Sequence, residues 1–370
     1  MNRMKVAALI ASATLSSPTL AQQGDPNPQY VGNSVDDLDV LEQAVVPDDQ
    51  MGAGGTEEMQ GPPDESAKGR ASRATSATGT PRRRTSAQSP LTYQGHLYYG
   101  LDVVPPDVVD TSPDQDRIRS VIDGEFGLAY DAGPVTILGS AGARIFPSDS
   151  DYNRYPLAIG AQMDVPLSSD RRTRLRLLPS YEYVLGNDGR VFDRARIDAQ
   201  LIHRHSANNV TTARLRYGYR NQSERRFRGY DQNEWLGELR HFWRPRGGPT
   251  RITGSLLGLH ANAKDDRFSY YGYGTQLIAR TTIDDDWEAY GRLYLVRRNY
   301  RDPFSATYPY DRKDTQLRLT GGVERRLNDH FTLFGEAGYA RNNSNIPTRD
   351  YDGFIGRIGI LFHGPIRLDD

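Results

Sequence analysis

The sequence reads RARIDAQL over residues 194–201 and ARLRYGYR over residues 213–220. In both stretches small or apolar side chains alternate with charged or polar ones, so that Ile197 and Ala199 share one face and Arg196 lies on the other. A repeat of two residues is the repeat of a β-strand, because successive strand side chains point to opposite faces. The two segments therefore predict neighbouring antiparallel strands with one apolar face and one charged face.

The same alternation extends on both sides of this region, from Leu91 to Phe362. The segments are longer than the roughly five or six residues usual in soluble sheets, and strands of about 9–11 residues cross a bilayer when they are tilted. An even number of strands returns both ends of a barrel to one side of the membrane. We predict an all-β fold, a transmembrane antiparallel up-and-down β-barrel of about 14 strands, with a disordered N-terminal extension.

The connections between the predicted strands alternate between long and short. The long ones are residues 104–116, 147–155, 186–192, 221–232, 263–269, 300–313 and 342–350. The short ones are Asp131–Pro134, Leu167–Arg172, Ser206–Val210, Pro245–Thr250, Asp284–Asp286 and Leu327–His330. Outer-membrane barrels have long external loops and short periplasmic turns. We therefore predict that the long connections face the cell exterior and that both chain ends face the periplasm.

A secretion signal precedes the strands. Two basic residues are followed by an apolar core at Val6–Leu15 and by Thr19–Ala21, which resembles a small-x-small cleavage site. We predict that a signal peptide, residues 1–21, is removed and that the mature chain begins at Gln22. The sequence contains no cysteine, which excludes a lipoprotein anchor, a disulfide bond and a cysteine-based metal site.

The composition excludes a helical membrane protein, because the mean hydropathy is -0.68 and 25% of the residues are charged. A β-barrel tolerates such polarity, since only every second strand residue meets lipid. The sequence has 22 tyrosines, and aromatic residues lie near the predicted strand ends, where interface girdles are expected. These residues are Tyr93, Tyr130, Tyr183, Tyr219, Trp235, Trp243, Trp287, Tyr339 and Phe362.

Residues 22–90 form a polar region ahead of the first strand. Residues 24–66 carry eleven acidic side chains and no basic one, whereas residues 67–90 carry six basic side chains and no acidic one. Too few apolar side chains are present to offset the entropy of ordering, so we predict a disordered periplasmic extension. Ser34–Val45 has the spacing of a short amphipathic helix that docks a periplasmic partner or enters the lumen; the alternative is a transient turn in a spacer.

The charged face of the predicted strands is the face turned toward the barrel interior, and it is rich in arginine. Its predicted arginines are Arg174, Arg176, Arg196, Arg214, Arg216, Arg220, Arg240, Arg280, Arg292, Arg298, Arg318 and Arg357. Its predicted acids are Asp123, Glu125, Asp164, Glu182, Asp198, Glu238, Glu324 and Glu336. One interpretation is a lumen with a cationic wall that prefers anionic solutes or chains. The other is an interior in which arginines and carboxylates pair and seal the lumen.

Signals for catalysis and for cofactors are weak. The seven histidines are scattered, and His203 and His205 share a strand face without a carboxylate nearby in sequence, so we predict no metal site. No serine lies in a nucleophile-elbow pattern, and the arginines are interleaved with acids rather than with stacking aromatics, which argues against nucleic acid. We predict a protein that is not an enzyme and that binds no cofactor.

The C-terminal segment resembles that of a known family. Asn343-Ser344-Asn345 is followed by Tyr351-Asp352 and by a final strand that reads R-x-G-x-x-F over Arg357–Phe362. This pattern resembles the end of the barrel in surface lipoprotein assembly modifiers, and the resemblance covers residues 91–362. Members of that family carry a helical tetratricopeptide-type domain before the barrel, where this sequence has the polar extension. The resemblance implies a role in moving or displaying a protein at the cell surface.

Many barrels end in a glycine-and-aromatic strand that the barrel assembly machinery reads. Gly359 and Phe362 are the corresponding residues here. The predicted partners are therefore outer-membrane lipid, the barrel assembly machinery, and a periplasmic or exported protein.

We predict a barrel over residues 91–362, a tail over residues 363–370, and a location in the bacterial outer membrane. The predicted function is passage across that membrane, either export or surface display of a protein or, as an alternative, a passive anion-preferring porin-like channel. A structural or adhesive barrel is the third interpretation. The residue pattern does not choose a substrate, an oligomeric state or a resting openness.

Overall fold

The computed structural model describes residues 91–103, 118–187, 189–223 and 229–366. Fourteen strands run through these residues: β1 Leu91–Val103, β2 Ile118–Asp131, β3 Val135–Ile145, β4 Tyr155–Pro166, β5 Thr173–Gly186, β6 Gly189–Ser206, β7 Asn209–Gln222, β8 Gln232–Trp243, β9 Thr250–Ala263, β10 Tyr270–Thr282, β11 Trp287–Pro303, β12 Asp311–Arg326, β13 Phe331–Ser344 and β14 Tyr351–Pro365. Short 3-10 turns lie at Ser150–Tyr152, Pro245–Gly247, Asp266–Phe268 and Pro347–Arg349.

The strands form one closed antiparallel barrel. Each strand pairs with its neighbours in sequence, and β14 pairs with β1 to close the sheet. The predicted all-β, up-and-down barrel of about 14 strands is therefore confirmed. The predicted signal peptide, the extension and the Ser34–Val45 segment lie outside the described residues.

The two ends of the barrel differ in their connections. At one end, here called the loop end, the strands are joined by residues 104–117, 146–154, 187–188, 223–231, 264–269, 304–310 and 345–350. At the other end, here called the turn end, they are joined by residues 132–134, 167–172, 207–208, 244–249, 283–286 and 327–330. Leu91 and Pro365, the outer ends of β1 and β14, both lie at the turn end. Which end faces the periplasm stays a prediction.

The predicted long connection at residues 186–192 is wrong. β5 and β6 continue toward the loop end until Gly186 pairs with Gly189, so that only two residues connect them. Gly189 has a φ of +113°, a conformation that only glycine adopts without strain. Val191 and Phe192 are buried with Val184 in a small apolar cluster, and burying them favours continued strand over an exposed loop.

The outer face of the barrel is apolar. Its exposed side chains include Leu97, Ile197, Leu256, Leu319 and Ile358 along the strand middles. Exposed aromatic residues lie closer to the strand ends: Tyr130, Trp243 and Trp287 toward the turn end, and Tyr219 and Trp235 toward the loop end. A closed sheet without free edges, with an apolar belt between two aromatic girdles, is the arrangement of a membrane-spanning barrel of the outer-membrane type.

No helix among the described residues is long and apolar enough to cross a membrane.

The sequence of β9 does not show which of its side chains face outward, because Leu256 and Leu257 are adjacent. In the barrel Leu256 is 63% exposed on the outer face and Leu257 is 5% exposed inside. The pairing of Leu256 with Leu239 and Thr275 fixes this register.

We expect Leu256→Arg to lower the free energy of unfolding of the barrel in lipid vesicles by about 2–4 kcal/mol, because it moves a charge onto the lipid face near the middle of the strand. Urea unfolding followed by tryptophan fluorescence measures the change. Asp285→Arg, which places the same side chain on an exposed turn, is the control and should leave stability nearly unchanged. Equal stability of both variants would contradict the register of β9.

The seam between β1 and β14 contains the residues predicted as the assembly signal. A Cβ atom at Gly359 would collide with the backbone oxygen of Leu97 and with the side chain of Tyr98, so glycine permits the close approach of the two strands. The Phe362 ring stacks against Phe126 with 6.3 Å between ring centroids. β14 continues to Pro365, so the first three residues of the predicted C-terminal tail are part of the strand. Recognition by the assembly machinery stays a prediction.

Candidate functional site: a charged barrel interior

The predicted interior residues share one property in the structure, which is that none of them is exposed. The buried ones are Arg176, Arg196, Arg214, Arg216, Arg220, Arg240, Arg298, Asp123, Glu182, Asp198, Glu238 and Glu336. The half-buried ones are Arg174, Arg280, Arg292, Arg318, Arg357, Glu125, Asp164 and Glu324. Whether they line a route for a solute stays a prediction; their contacts with one another are described next.

Asp102 on β1 is the centre of one ion-pair group. Its carboxylate contacts Arg144 on β3, and it lies 3.6 Å from Nη2 of Arg318 on β12 and 3.6 Å from Nη2 of Arg357 on β14. One buried carboxylate therefore holds three guanidinium groups from three other strands. Because burying a charge without a partner is costly, removing this carboxylate leaves the arginines poorly compensated.

The Asp102 group continues in two directions along the interior. Arg144 also lies 4.0 Å from Asp123. The Asp123 carboxylate is in turn hydrogen-bonded to Nε2 of His96 at 2.6 Å. On the other side, Glu336 lies 4.0 Å from Nε of Arg357 and 3.3 Å from Nη1 of Arg292. These contacts link strands on both sides of the barrel seam.

A second group lies inside β5 to β8. Arg194 is fully buried and donates to Glu182 at 2.6 Å, and its other terminal nitrogen lies 3.7 Å from Glu234. Nε of Arg220 lies 3.5 Å from the same Glu234, and its guanidinium lies 4.4 Å from the centroid of the Phe192 ring. Two arginines thus share two carboxylates beside an aromatic ring, so that opposite charges and a cation–π contact compensate one another in the buried interior.

A third group lies nearer the turn end of the same strands. Asp198 accepts hydrogen bonds from Arg214 and, at 2.9 Å, from Nε of Arg216. Arg214 also lies 3.5 Å from Glu238, which accepts from Arg240 at 2.9 Å. Alternating arginines and acids on adjacent strands produce this ladder, because residues that face the same side of paired strands are neighbours.

The interior is more open toward the turn end. The side chains of Arg174, Asp164, Arg251, Arg280 and Glu288 are between 15% and 31% exposed. They still pair, since Arg280 lies 2.8 Å from Glu288 and Arg251 contacts the same carboxylate. We call this group of partly exposed charged residues the turn-end vestibule.

Apolar and aromatic side chains fill another part of the interior. Leu236, Leu257, Leu259, Tyr294 and Val296 belong to one buried cluster on β8 to β11. The charged residues predicted to line the interior are therefore only part of the inward face. Alternation alone does not reveal this cluster. Where two leucines are adjacent, as Leu256 and Leu257 are, the sequence does not show which of them faces inward.

Aromatic and arginine side chains form buried contacts at the loop end. Tyr230 and Phe268 stack with 3.7 Å between ring centroids, and burial raises the pKa of Tyr230, so that its hydroxyl stays neutral. The Arg349 guanidinium, also fully buried, lies 5.2 Å from the Phe304 ring. Ile346 is 0% exposed in the same connection as Arg349. The described connections at this end therefore bury aromatic rings, an isoleucine and a guanidinium group.

The buried residues carry an excess of positive charge. The buried arginines are Arg144, Arg154, Arg176, Arg194, Arg196, Arg214, Arg216, Arg220, Arg240, Arg298, Arg312 and Arg349. The buried acids are Asp102, Asp123, Glu182, Asp198, Glu234, Glu238, Asp314 and Glu336. Arginines outnumber acids in this set, so the buried side chains carry a net positive charge.

Several of these residues lie outside the predicted set. Arg194, Glu234, Arg312, Asp314 and Arg349 fall in or beside segments predicted to be loops. Arg194, Arg312 and Asp314 lie on the long strands β6 and β12, which extend beyond a minimal membrane span. Glu234 lies near the start of β8, and Arg349 lies in the 3-10 turn between β13 and β14. The glycines at the β5–β6 connection are the one sequence signal for such an extension.

The histidines of the outer face form a small hydrogen-bonded group. His203 bonds Thr173 at 2.9 Å, and His205 and His241 both bond the Thr211 hydroxyl, at 2.8 Å and 3.0 Å. Among the residues that the structure describes, no group of three or more histidine or acidic side chains has the geometry to hold a metal ion. Nothing in the described geometry decides for or against an enzymatic activity.

No protein-family model and no curated protein sequence matches the chain. Solved structures that are similar are outer-membrane proteins. A loop L8 deletion mutant of OmpT, an outer membrane protein of Vibrio cholerae, is 11% identical with a TM-score of 0.41 and matches 74% of this chain and 99% of its own. A bacterial polysaccharide outer membrane secretin is 8% identical with a TM-score of 0.43, and the match covers 74% of this chain and 98% of that one. An outer membrane channel from Pseudomonas putida F1 is 11% identical with a TM-score of 0.43, and the match covers 78% and 100%. The likeness extends to the barrel fold alone.

Proposed function

We propose that this protein forms a passage across the outer membrane that is closed at rest and that favours anionic cargo when it opens. The observation that supports this most directly is the excess of arginine over acids among the buried interior side chains. A cationic wall lowers the energy of an anion in the lumen and raises that of a cation.

The proposal of a closed resting state depends on how deeply the charges are buried. Arg194, Arg220 and Arg312 are no more than 2% exposed, whereas an open lumen of this size would leave its wall in contact with water. The interior is nonetheless ionic rather than apolar. Buried ion pairs contribute little net stability compared with apolar packing, so their presence is better explained by a lumen that rehydrates when it opens.

The turn-end vestibule is the proposed entrance. Its arginines and acids are already in contact with water, and the fully buried pairs begin beyond them. Because the outer ends of β1 and β14 lie at this end, we further propose that the vestibule faces the periplasm and the loop end faces the exterior.

The second proposal is export or surface display of a protein, as in the surface lipoprotein assembly modifiers that the C-terminal segment resembles. In this role a periplasmic or exported protein would bind the N-terminal extension of the closed barrel. A purely structural or adhesive barrel, the third interpretation, gives no reason for excess positive charge inside.

Flux from liposomes tests the proposal. We expect the full chain, reconstituted at known density, to release a small anionic dye several-fold faster than a cationic dye of equal size. Both dyes should leave more slowly than through a permanently open barrel of fourteen strands. Liposomes without protein give the background rate. Equal release of both dyes would contradict the anionic preference, and fast release of both would contradict the closed state.

A further inference from the structure

Four exposed cations lie together on the outer surface near the loop end. They are Arg297 and Arg301 on β11, Lys313 on β12 and Arg341 on β13. Arg297, Arg301 and Lys313 form no ion pair among the residues that the structure describes, although other exposed arginines do: Arg190, for example, lies 2.7 Å from Asp193. We call these four residues the outer basic patch.

The strand register brings the members of the outer basic patch close to one another. Arg297 pairs with Thr315, and Arg341 pairs with Leu317, the next outward-facing residue of β12. Two strand spacings of roughly 4.8 Å each separate the backbones of β11 and β13, a distance that two arginine side chains span easily. Lys313 pairs with Asn299, one step farther toward the loop end. The cations therefore lie at successive levels on neighbouring strands, in the order Arg341, Arg297, Lys313 and Arg301 toward the loop end.

An apolar surface adjoins the patch on its membrane side. Tyr273, which pairs with Arg297, is 57% exposed, Leu295 is 41% exposed and Leu319 is 54% exposed. Phe354 on β14 is 72% exposed beside Tyr339. Apolar side chains below cations match the two parts of a lipid, since acyl chains contact the former and a phosphate-bearing headgroup meets the latter.

The acidic residues near the patch do not neutralise it. Asp352 faces Arg341 across β13 and β14, but it accepts a hydrogen bond of 2.6 Å from the Tyr339 hydroxyl. Asp311 is exposed at the outer end of β12. Asp302 is also exposed, beside Arg301 at the outer end of β11. Three acids against four cations leave a net positive charge on the patch.

We propose that the outer basic patch binds a glycolipid that carries more than one phosphate group, in the leaflet at the loop end. The spread of the cations along the strands favours this lipid over a phospholipid, because a single phosphate near Arg297 and Arg341 leaves Lys313 and Arg301 free to bind a second. Arginine binds phosphate by paired, charge-assisted hydrogen bonds. This binding does not depend on whether the lumen conducts.

Native mass spectrometry of the full chain in detergent tests the proposal with two probes, bisphosphorylated lipid A and phosphatidylglycerol. We expect lipid A to bind at about tenfold lower concentration than phosphatidylglycerol, and the double variant Arg297→Gln/Arg341→Gln to weaken lipid A binding about tenfold or more. Arg325→Gln is the matched control, since Arg325 is an exposed outward-facing cation near the turn end that stacks on Trp287; it should bind lipid A as the unaltered chain does.

The outcomes separate the two lipid sources. Equal binding of both probes to the unaltered chain, or tighter binding of phosphatidylglycerol, would overturn the choice of a multiply phosphorylated glycolipid. Unchanged lipid A binding in the double variant would overturn the assignment to this patch. Because heat-resistant migration of the folded barrel on a gel reports folding of each variant, loss of binding in a folded variant supports the proposal.

Discussion

Replacing Asp102 by asparagine is expected to open the barrel and to destabilise it. The substitution keeps the shape of the side chain but removes the charge that holds Arg144, Arg318 and Arg357 together. Breaking a buried ion pair by removing one partner costs about 3–5 kcal/mol. We expect the lower part of that range, because Arg144 and Arg357 keep distant contacts with Asp123 and Glu336.

The three arginines then repel one another and draw water and anions into the interior. We expect at least tenfold more frequent open events in planar bilayers and a lower urea midpoint in vesicles. Asp170→Asn is the control, since the ion pair of Asp170 with Arg172 lies on a turn and both side chains are more than half exposed. Unchanged current and unchanged stability for Asp102→Asn would show that the Asp102 group does not hold the barrel closed.

Replacing Arg194 by glutamine should produce the other large effect. Arg194 is the fully buried cation between Glu182 and Glu234, and its loss removes the cation that is hydrogen-bonded to Glu182 and one of the cations near Glu234. We expect a loss of about 3–5 kcal/mol in the free energy of unfolding, measured by urea titration in vesicles. Arg190→Gln removes a cation from the same strand whose side chain is 39% exposed, and it should cost less than about 1 kcal/mol.

A double substitution tells a charge effect from a packing effect. Arg194→Gln/Glu182→Gln removes one carboxylate together with its partner, so it should recover part of the stability lost in Arg194→Gln. If the double variant is as unstable as the sum of its single substitutions, the ion pair does not explain the burial of Arg194.

The alternation of side chains predicted most of the barrel because each strand has a dry outer face that admits almost no polar residue. For β1 the predicted bounds, Leu91–Val103, are those of the structure. The turns at residues 132–134 and 167–172 likewise lie where polar residues and proline interrupt the pattern. A repeat of two is robust here, since a slip by one residue would turn every charge of a strand toward lipid.

The parts that the sequence did not predict depend on the interior. The β5–β6 connection is short because Val191 and Phe192 have an apolar cluster to join, which local pattern does not reveal. The local pattern also does not show that Leu257 points inward, because its orientation depends on the register of β9 with β8 and β10. The partners of Asp102 come from strands at both ends of the chain, and only closure of the sheet brings them together.

The most direct test of a closed, anion-preferring passage is the reversal potential of single openings in planar bilayers under a potassium chloride gradient. We expect the full chain to be silent for most of the recording, and we expect its brief openings to have a reversal potential with the sign of the chloride equilibrium potential. The openings of Asp102→Asn should be longer, and their reversal potential should have the same sign. A steady current from the unaltered chain, or a reversal potential with the sign of the potassium equilibrium potential, would contradict a closed, anion-preferring passage.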